Sequence, residues 1–183
     1  MRSSYAIALS ADGPAAAACL TAAERRACRA LPGEARRRDW RAGRLAAKRA
    51  DAQLRGVRPT APVLVSVAHA AGRAAAVAAV GPGRVGIDLE RAGAIHPAYA
   101  RYFLTRAERS LVRRFGITTL WALKEAAWKA LGLDNATVFS AVELLADRRG
   151  EITALTLHGE RRCVRVLVTR PWPEFILAVV WVE

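Results

Sequence analysis

Apolar residues alternate weakly with polar ones over residues 5–10, and this spacing predicts a first β-strand. From Pro14 to Leu31 the chain is alanine-rich, with Glu24, Arg25, Arg26 and Arg29 gathered near the end, a texture that predicts a helix. Pro32-Gly33 breaks it, and residues 34–55, with Trp40, Leu45 and Leu54 among many arginines, predict a second helix ended by Gly56 and Pro59. The texture then turns β-branched and short. Strands are expected at Val63–His69, Ala74–Val80 and Arg84–Glu90, with turns at Gly72 and at Gly81-Pro82-Gly83. Helical periodicity returns at 96–115, where Thr105-Arg106-Ala107-Glu108 has the form of a capping box. A further helix is expected to open at Thr118 or Thr119 and to run through Trp121 and Trp128 to Gly132. The tail predicts strands around Val142–Leu145, Ile152–Leu157, Val164–Val168 and Phe175–Val182. This order of helices, strands, helices and strands is an α+β pattern. It suits two comparable halves meeting near Gly83–Val85.

Composition changes the picture in three ways. No apolar run reaches the roughly 18 residues needed to span a bilayer, and the first ten residues hold too short an apolar patch for a signal peptide, so a cytoplasmic protein is expected. The three cysteines, Cys19, Cys28 and Cys163, lack metal-site spacing and are read as small buried side chains in a reducing compartment. The net charge of +13 calls for an anionic partner: nucleic acid, a polyphosphate cofactor, a membrane surface or an acidic protein. Of the 29 basic residues only Lys48, Lys124 and Lys129 are lysine, so each stands out against an arginine background.

Four clusters can carry chemistry. In Val85-Gly86-Ile87-Asp88-Leu89-Glu90, two carboxylates two residues apart on a strand point to one face, which suits either a polar strand end or a Mg²⁺ site. In Trp121-Ala122-Leu123-Lys124-Glu125-Ala126-Ala127-Trp128-Lys129, Glu125 and Lys129 share a helix face. An ordinary surface pair looks the same, but the two tryptophans argue for burial. His69 ends an apolar strand and is either a structural histidine or a donor to phosphate. The basic stretch from Arg36 to Arg49 is a solvated helix face that can also aim an arginine or two at phosphate.

Taken in this order, these segments resemble the Sfp-type phosphopantetheinyl transferases. The resemblance is carried by Gly86-Ile87-Asp88-Leu89-Glu90 and by Trp121-Ala122-Leu123-Lys124-Glu125 with Lys129. The stretch from Arg38 through Gly43-Arg44 to Ala47, the strand ending at His69, and Phe103–Glu108 support it, so that it covers roughly residues 34–132. Two positions depart from the family pattern: Ala68 stands where serine is common, and Val57-Arg58-Pro59 where a Gly-Lys/Arg-Pro motif is expected.

The resemblance implies transfer of the 4′-phosphopantetheine arm of coenzyme A to a serine of an acidic acyl or peptidyl carrier protein, releasing adenosine 3′,5′-bisphosphate. It implies Mg²⁺ held by Asp88, Glu90 and Glu125 against the coenzyme A pyrophosphate. Lys129 would neutralise charge there or protonate the departing phosphate, and Lys124 would sit near the phosphates. His69 would contact a coenzyme A phosphate, with Arg38, Arg44 and Lys48 at the nucleotide end. Glu125 and a metal-bound water are both candidate bases for the serine proton. The implied architecture is a pseudo-dimer in one chain, residues 1–83 and 84–183, each half a small antiparallel sheet packed with helices, with coenzyme A in the cleft between them. A monomer acting on a carrier protein, with neither nucleic acid nor membrane, is expected. The alternatives are a basic nucleic-acid-binding module, against which stands the lack of any recognition motif, and a family member that binds without turnover.

Overall fold

The computed structural model describes residues 4–57, 62–134 and 137–183. The chain divides into two compact units, Met1–Gly81 and Pro82–Glu183.

The first unit opens with β1 (Ser4–Ala11), α1 (Pro14–Ala18), α2 (Ala22–Ala30) and α3 (Glu34–Arg55), followed by β2 (Leu64–Ala70) and β3 (Arg73–Val80). Its three strands pair antiparallel in the order β1-β3-β2. Ala42, Ala46, Ala50 and Leu54 recur every fourth residue along α3 and meet Ala8 of β1 and Ala74, Ala76 and Ala78 of β3. The helical and strand periods thus face each other through side chains small enough for close approach.

The single helix expected over 14–31 is two. Thr21 takes an extended backbone, its hydroxyl accepts the Glu24 N–H, and the Glu24 carboxylate accepts the Thr21 N–H. That reciprocal box starts a new helix at Ala22 and interrupts the alanine run. Of the departures noted above, Ala68 is buried on β2, while Arg58 and Pro59 lie outside the described residues.

The second unit holds β4 (Arg84–Arg91), α4 (Ala100–Phe103), α5 (Val112–Phe115), α6 (Ile117–Leu131), β5 (Val142–Ala146), β6 (Ile152–Leu157), β7 (Glu160–Thr169) and β8 (Phe175–Val182). The strands pair antiparallel in the order β4-β8-β7-β6-β5. α6 packs on β4 and β8, and every residue of β8 is buried. The core runs from Leu120 and Leu123 of α6 to Val142, Leu155, Ala178 and Val180 on the strands.

Three expectations differ here. Residues 96–115 form two one-turn helices and two 3₁₀ turns rather than one helix. Leu104 is extended, with φ −98° and ψ 132°, and Thr105 and Glu108 cap each other only across a 3₁₀ turn. α6 starts at Ile117 behind Gly116, whose φ is 77°, and Thr118 and Thr119 are buried inside the first turn instead of capping it. β7 extends back to Glu160, because the turn at His158 and Gly159 pairs Leu157 with Glu160 and draws charged residues into the hairpin. The helix stop at Gly132, in the left-handed conformation at φ 67°, is as read from the sequence. Of the cysteines Cys28 is buried, Cys19 partly so, and Cys163 is exposed because β7 turns that position outward.

Each unit sets an antiparallel sheet against one long helix, which is the α+β class expected, with three strands in the first and five in the second.

Candidate active site

The acidic segment and the Trp-Lys-Glu-Lys segment meet because β4 and α6 lie against each other in opposite directions. Gly86 makes this possible. A Cβ there would stand 2.0 Å from the Ala126 carbonyl oxygen and 2.6 Å from the Ala130 amide nitrogen, so only glycine lets the helix backbone touch the strand. Gly86 lies against Ala126 and Ala130, Asp88 bonds to Lys129, and Glu90, farther along the strand, bonds to Trp121, two turns nearer the start of the helix.

The Lys129 ammonium donates to Asp88 Oδ1 at 2.7 Å and to the Ile87 carbonyl at 3.1 Å, and Glu125 Oε2 lies 3.8 Å away. The Trp121 indole N–H donates to Glu90 Oε1 at 3.0 Å. Asp88 is buried, with 7% of its side chain exposed, while Glu125 and Lys129 keep 31% each. Burial first, and then the charge of Asp88, push Glu90 up to about 7 and raise Glu125 as well; Lys129 opposes both without cancelling them. The group therefore holds more negative charge than its own cation offsets.

Aromatic rings set the other wall. Trp121 and Trp128 are two helical turns apart, about 10.5 Å, a spacing that admits one ring between them. Phe139 fills it, stacked at 4.9 Å on Trp121 and 5.0 Å on Trp128. Phe103 meets Trp121 edge-on at 5.0 Å. An open cavity of about 390 Å³ beside the pair is lined by Glu125, Trp128, Lys129, Thr137 and Phe139.

A hard divalent cation suits this donor set by its chemistry: three carboxylates, two of them raised by burial and mutual repulsion. They are not drawn together as a finished cage. Among the described residues no group of three or more His, Cys, Asp and Glu side chains is gathered closely enough to hold an ion. The cation beside Asp88 is the Lys129 ammonium.

Lys124 lies elsewhere than the resemblance implied. It is fully buried, and its ammonium is enclosed by both oxygens of Glu108, at 2.9 and 2.8 Å, and by the Val142 carbonyl at 2.5 Å. With three protons donated to three acceptors, it has none to offer a phosphate. Desolvation lowers its pKa, with Glu108 opposing. The sequence presented Glu108 only as a capping residue; its proximity to Lys124 is a tertiary fact with no local signal.

The remaining candidates belong to the first unit. His69 is exposed on β2, with Nδ1 3.8 Å from Asp39 Oδ2 of α3. It lies over Gly43, where a Cβ would come 3.8 Å from the His69 ring and 3.3 Å from Val67 Cγ1. A side chain at position 43 would therefore pack tightly against Val67. Arg44 and Lys48 share Glu24: Arg44 donates to Oε1 at 2.6 and 2.9 Å, and Lys48 to Oε2 at 2.6 Å. The Lys48 hydrogen bond leads in holding Glu24 down at about 2. Arg38 is exposed. Arg41, which the sequence reading passed over, clamps Asp12 with two bonds of 2.7 Å and also reaches Glu34.

Comparison with known proteins bears on the second unit. No curated protein matches the chain. Several solved structures are similar to it in part, three of them as follows. A holo-[acyl-carrier-protein] synthase from Thermotoga maritima is 28% identical over 55% of this chain and 62% of its own, with a TM-score of 0.43. A Bacillus anthracis holo-(acyl-carrier-protein) synthase in complex with CoA (3′,5′-ADP) is 25% identical over 55% and 95%, with a TM-score of 0.42. An ACPS–CoA complex from Chronobacterium ammoniagenes is 20% identical over 56% and 98%, with a TM-score of 0.42. The chain thus spans less than two thirds of the length of the Thermotoga protein. The family assignment rests on a different comparison, a sequence profile that matches residues 84–180, more than half of the 183. That span opens with β4 and runs into β8, taking in the whole β4–α6 register, and by it the chain belongs to the 4′-phosphopantetheinyl transferase superfamily.

Proposed function

We propose that this protein transfers the 4′-phosphopantetheine moiety of coenzyme A to a serine of an apo acyl or peptidyl carrier protein, releasing adenosine 3′,5′-bisphosphate, as a cytoplasmic monomer of the Sfp type. The observation that carries the reading is the facing of Asp88 and Glu90 on β4 with Glu125 and Lys129 on α6, joined by the 2.7 Å Lys129–Asp88 contact.

Asp88, Glu90 and Glu125 are the residues that would hold Mg²⁺ against the coenzyme A pyrophosphate. When bound, the ion supplies neutralisation of the charge that develops on the phosphoryl oxygens, the main requirement of such transfers. The serine oxygen forms a bond to the phosphorus that bears pantetheine, and the bond from that phosphorus to the bridging oxygen of the adenosine bisphosphate breaks. The serine proton leaves to a base. Glu125, which stands 3.8 Å from Lys129, is the group assigned that role. The Lys129 ammonium stabilises the departing phosphate by charge or by its proton. His69, Arg38, Arg44 and Lys48 are assigned to phosphates of the nucleotide end; Arg44 and Lys48 share one carboxylate between them and so retain net positive charge.

Incubating the protein with coenzyme A, Mg²⁺ and an apo carrier is expected to raise the carrier's mass by one phosphopantetheine unit. No gain across fatty-acid, polyketide and peptide carriers would sink the proposal. Asp88→Ala and Lys129→Ala should each lower kcat by at least about 10²-fold while retaining the far-UV circular dichroism of the parent, and full activity in both would refute the assigned roles.

A further inference from the structure

We infer that Lys124 and Glu108 form a positioning pair, which sets the rotation of α6 about its own axis and so aims Glu125 and Lys129 at β4. The inference rests on the site reading given above and adds to it two residues that touch neither Asp88 nor Glu90.

Both side chains are completely buried. The Lys124 ammonium spends its three protons on Glu108 Oε1, Glu108 Oε2 and the Val142 carbonyl. Glu108 also accepts the Leu144 N–H at 2.9 Å and the Thr105 N–H at 2.8 Å. One knot therefore fastens α6 to the start of β5 and to the turn at Thr105–Glu108. As a means of stabilising a fold this is extravagant, because an apolar pair of similar volume serves as well or better once desolvation is counted. What an apolar pair lacks is direction.

The α6–β4 contact has directed bonds of its own, from Lys129 to Asp88 and the Ile87 carbonyl and from Trp121 to Glu90, but they are part-exposed and belong to the site that has to be aimed. The backbone contact beneath them, Ala126 and Ala130 over Gly86, is between small apolar groups, whose attraction has no direction, so the fully buried knot is the directed anchor that lies outside the site. Hydrogen bonds weaken steeply with angle, so the Lys124 knot holds the helix at one rotation. Glu125 is the next residue, about 100° round the helix, with side-chain atoms about 5–6 Å from the axis. A 20° turn of α6 would therefore carry its carboxylate sideways by about 2 Å, and a displacement of about 1 Å can cost on the order of 10²-fold in rate.

The test compares Lys124→Met with the double variant Glu108→Leu/Lys124→Met in the full chain. Three measurements are read: the melting temperature, the affinity for Mn²⁺ followed by tryptophan fluorescence (Trp121 bonds to Glu90), and kcat and KM for coenzyme A with an apo carrier. Lys124→Met leaves Glu108 buried without its cation and should melt about 10 °C lower. The double variant should recover to within about 3 °C of the parent. Its kcat should nevertheless stay at least about 30-fold down, with KM for coenzyme A changed less than about twofold and Mn²⁺ affinity about tenfold weaker. A double variant with parental kcat and Mn²⁺ affinity overturns the inference, since the pair would then be a structural filler. If the double variant does not fold, Glu108→Gln below its melting point takes its place: lower kcat at unchanged KM supports the inference, and parental kcat overturns it. A parent chain that transfers nothing defeats the proposed function instead, and Mn²⁺ affinity then decides the positioning role alone.

Discussion

At the scale of single residues, two positions on β4 lead to measurable expectations. A methyl group at Gly86 would overlap the Ala126 carbonyl oxygen at 2.0 Å, so Gly86→Ala must push α6 off the strand. Overpacking of backbone against backbone has no flexible side chain to absorb it, and a loss of about 3 kcal/mol or more is expected in urea unfolding. Glu90 is held at about 7 by burial and by Asp88, against 4.5 for the ordinary side chain. The folded protein thus binds that proton more tightly than the unfolded chain. In the absence of divalent ions, stability should fall as the pH rises from about 4.5 to 7, and Glu125, raised for the same reasons, acts in the same sense. Glu90 is only part-buried, so solvent screening keeps the slope shallow. Melting curves between pH 5 and 8 in chelator would show it, and Glu90→Gln should flatten it; an unchanged slope in that variant would place the titration elsewhere.

At the scale of elements, the site is a matter of register between one strand and one helix, and the aromatic stack holds that register from outside. Phe139 lies between Trp121 and Trp128, which brackets the turn that bears Glu125. Phe139→Ala opens this gap, and a loss of about 2 kcal/mol is expected, below the cost of a fully buried phenylalanine because Phe139 is only part-buried. Urea unfolding followed by tryptophan emission reads both the stability and the altered surroundings of the two indoles. Strong periodicity made the elements around this stack legible: α3, α6 and the strands from β5 to β8 fall where the pattern put them, with shifts at their ends. The misreadings lie where a local bond overrode periodicity, as in the Thr21–Glu24 box that splits the first helix, or where the backbone turns extended inside a helical pattern, as at Leu104, ahead of the Glu108 that is buried against Lys124.

At the scale of the whole molecule, the +13 charge is the property that no single site accounts for. If the partner is an acidic carrier, the field should hasten encounter and be screened by salt. KM for the carrier is expected to rise several-fold between about 50 and 300 mM salt, where the Debye length shrinks from roughly 14 to 6 Å, with kcat little changed. A KM indifferent to salt would leave the charge unconnected with carrier docking.

The spacing of Gly86, Asp88 and Glu90, and that of Trp121, Glu125 and Lys129, can be read along the chain because each lies within one element, and the period of that element decides which residues share a face. The family, the α+β class and the acidic candidates were therefore open to a reader of the sequence. Tertiary structure decided what became of neighbours with equal claims. Lys124 and Glu125 are adjacent in the same motif, yet one is sealed beneath β5 with Glu108 and the other stands beside Asp88's partner Lys129. About 100° of helix rotation separates them, and which direction meets the core depends on residues far away in sequence. Contacts of that kind leave no local period to read, because burial and charge pairing are set by what packs from elsewhere.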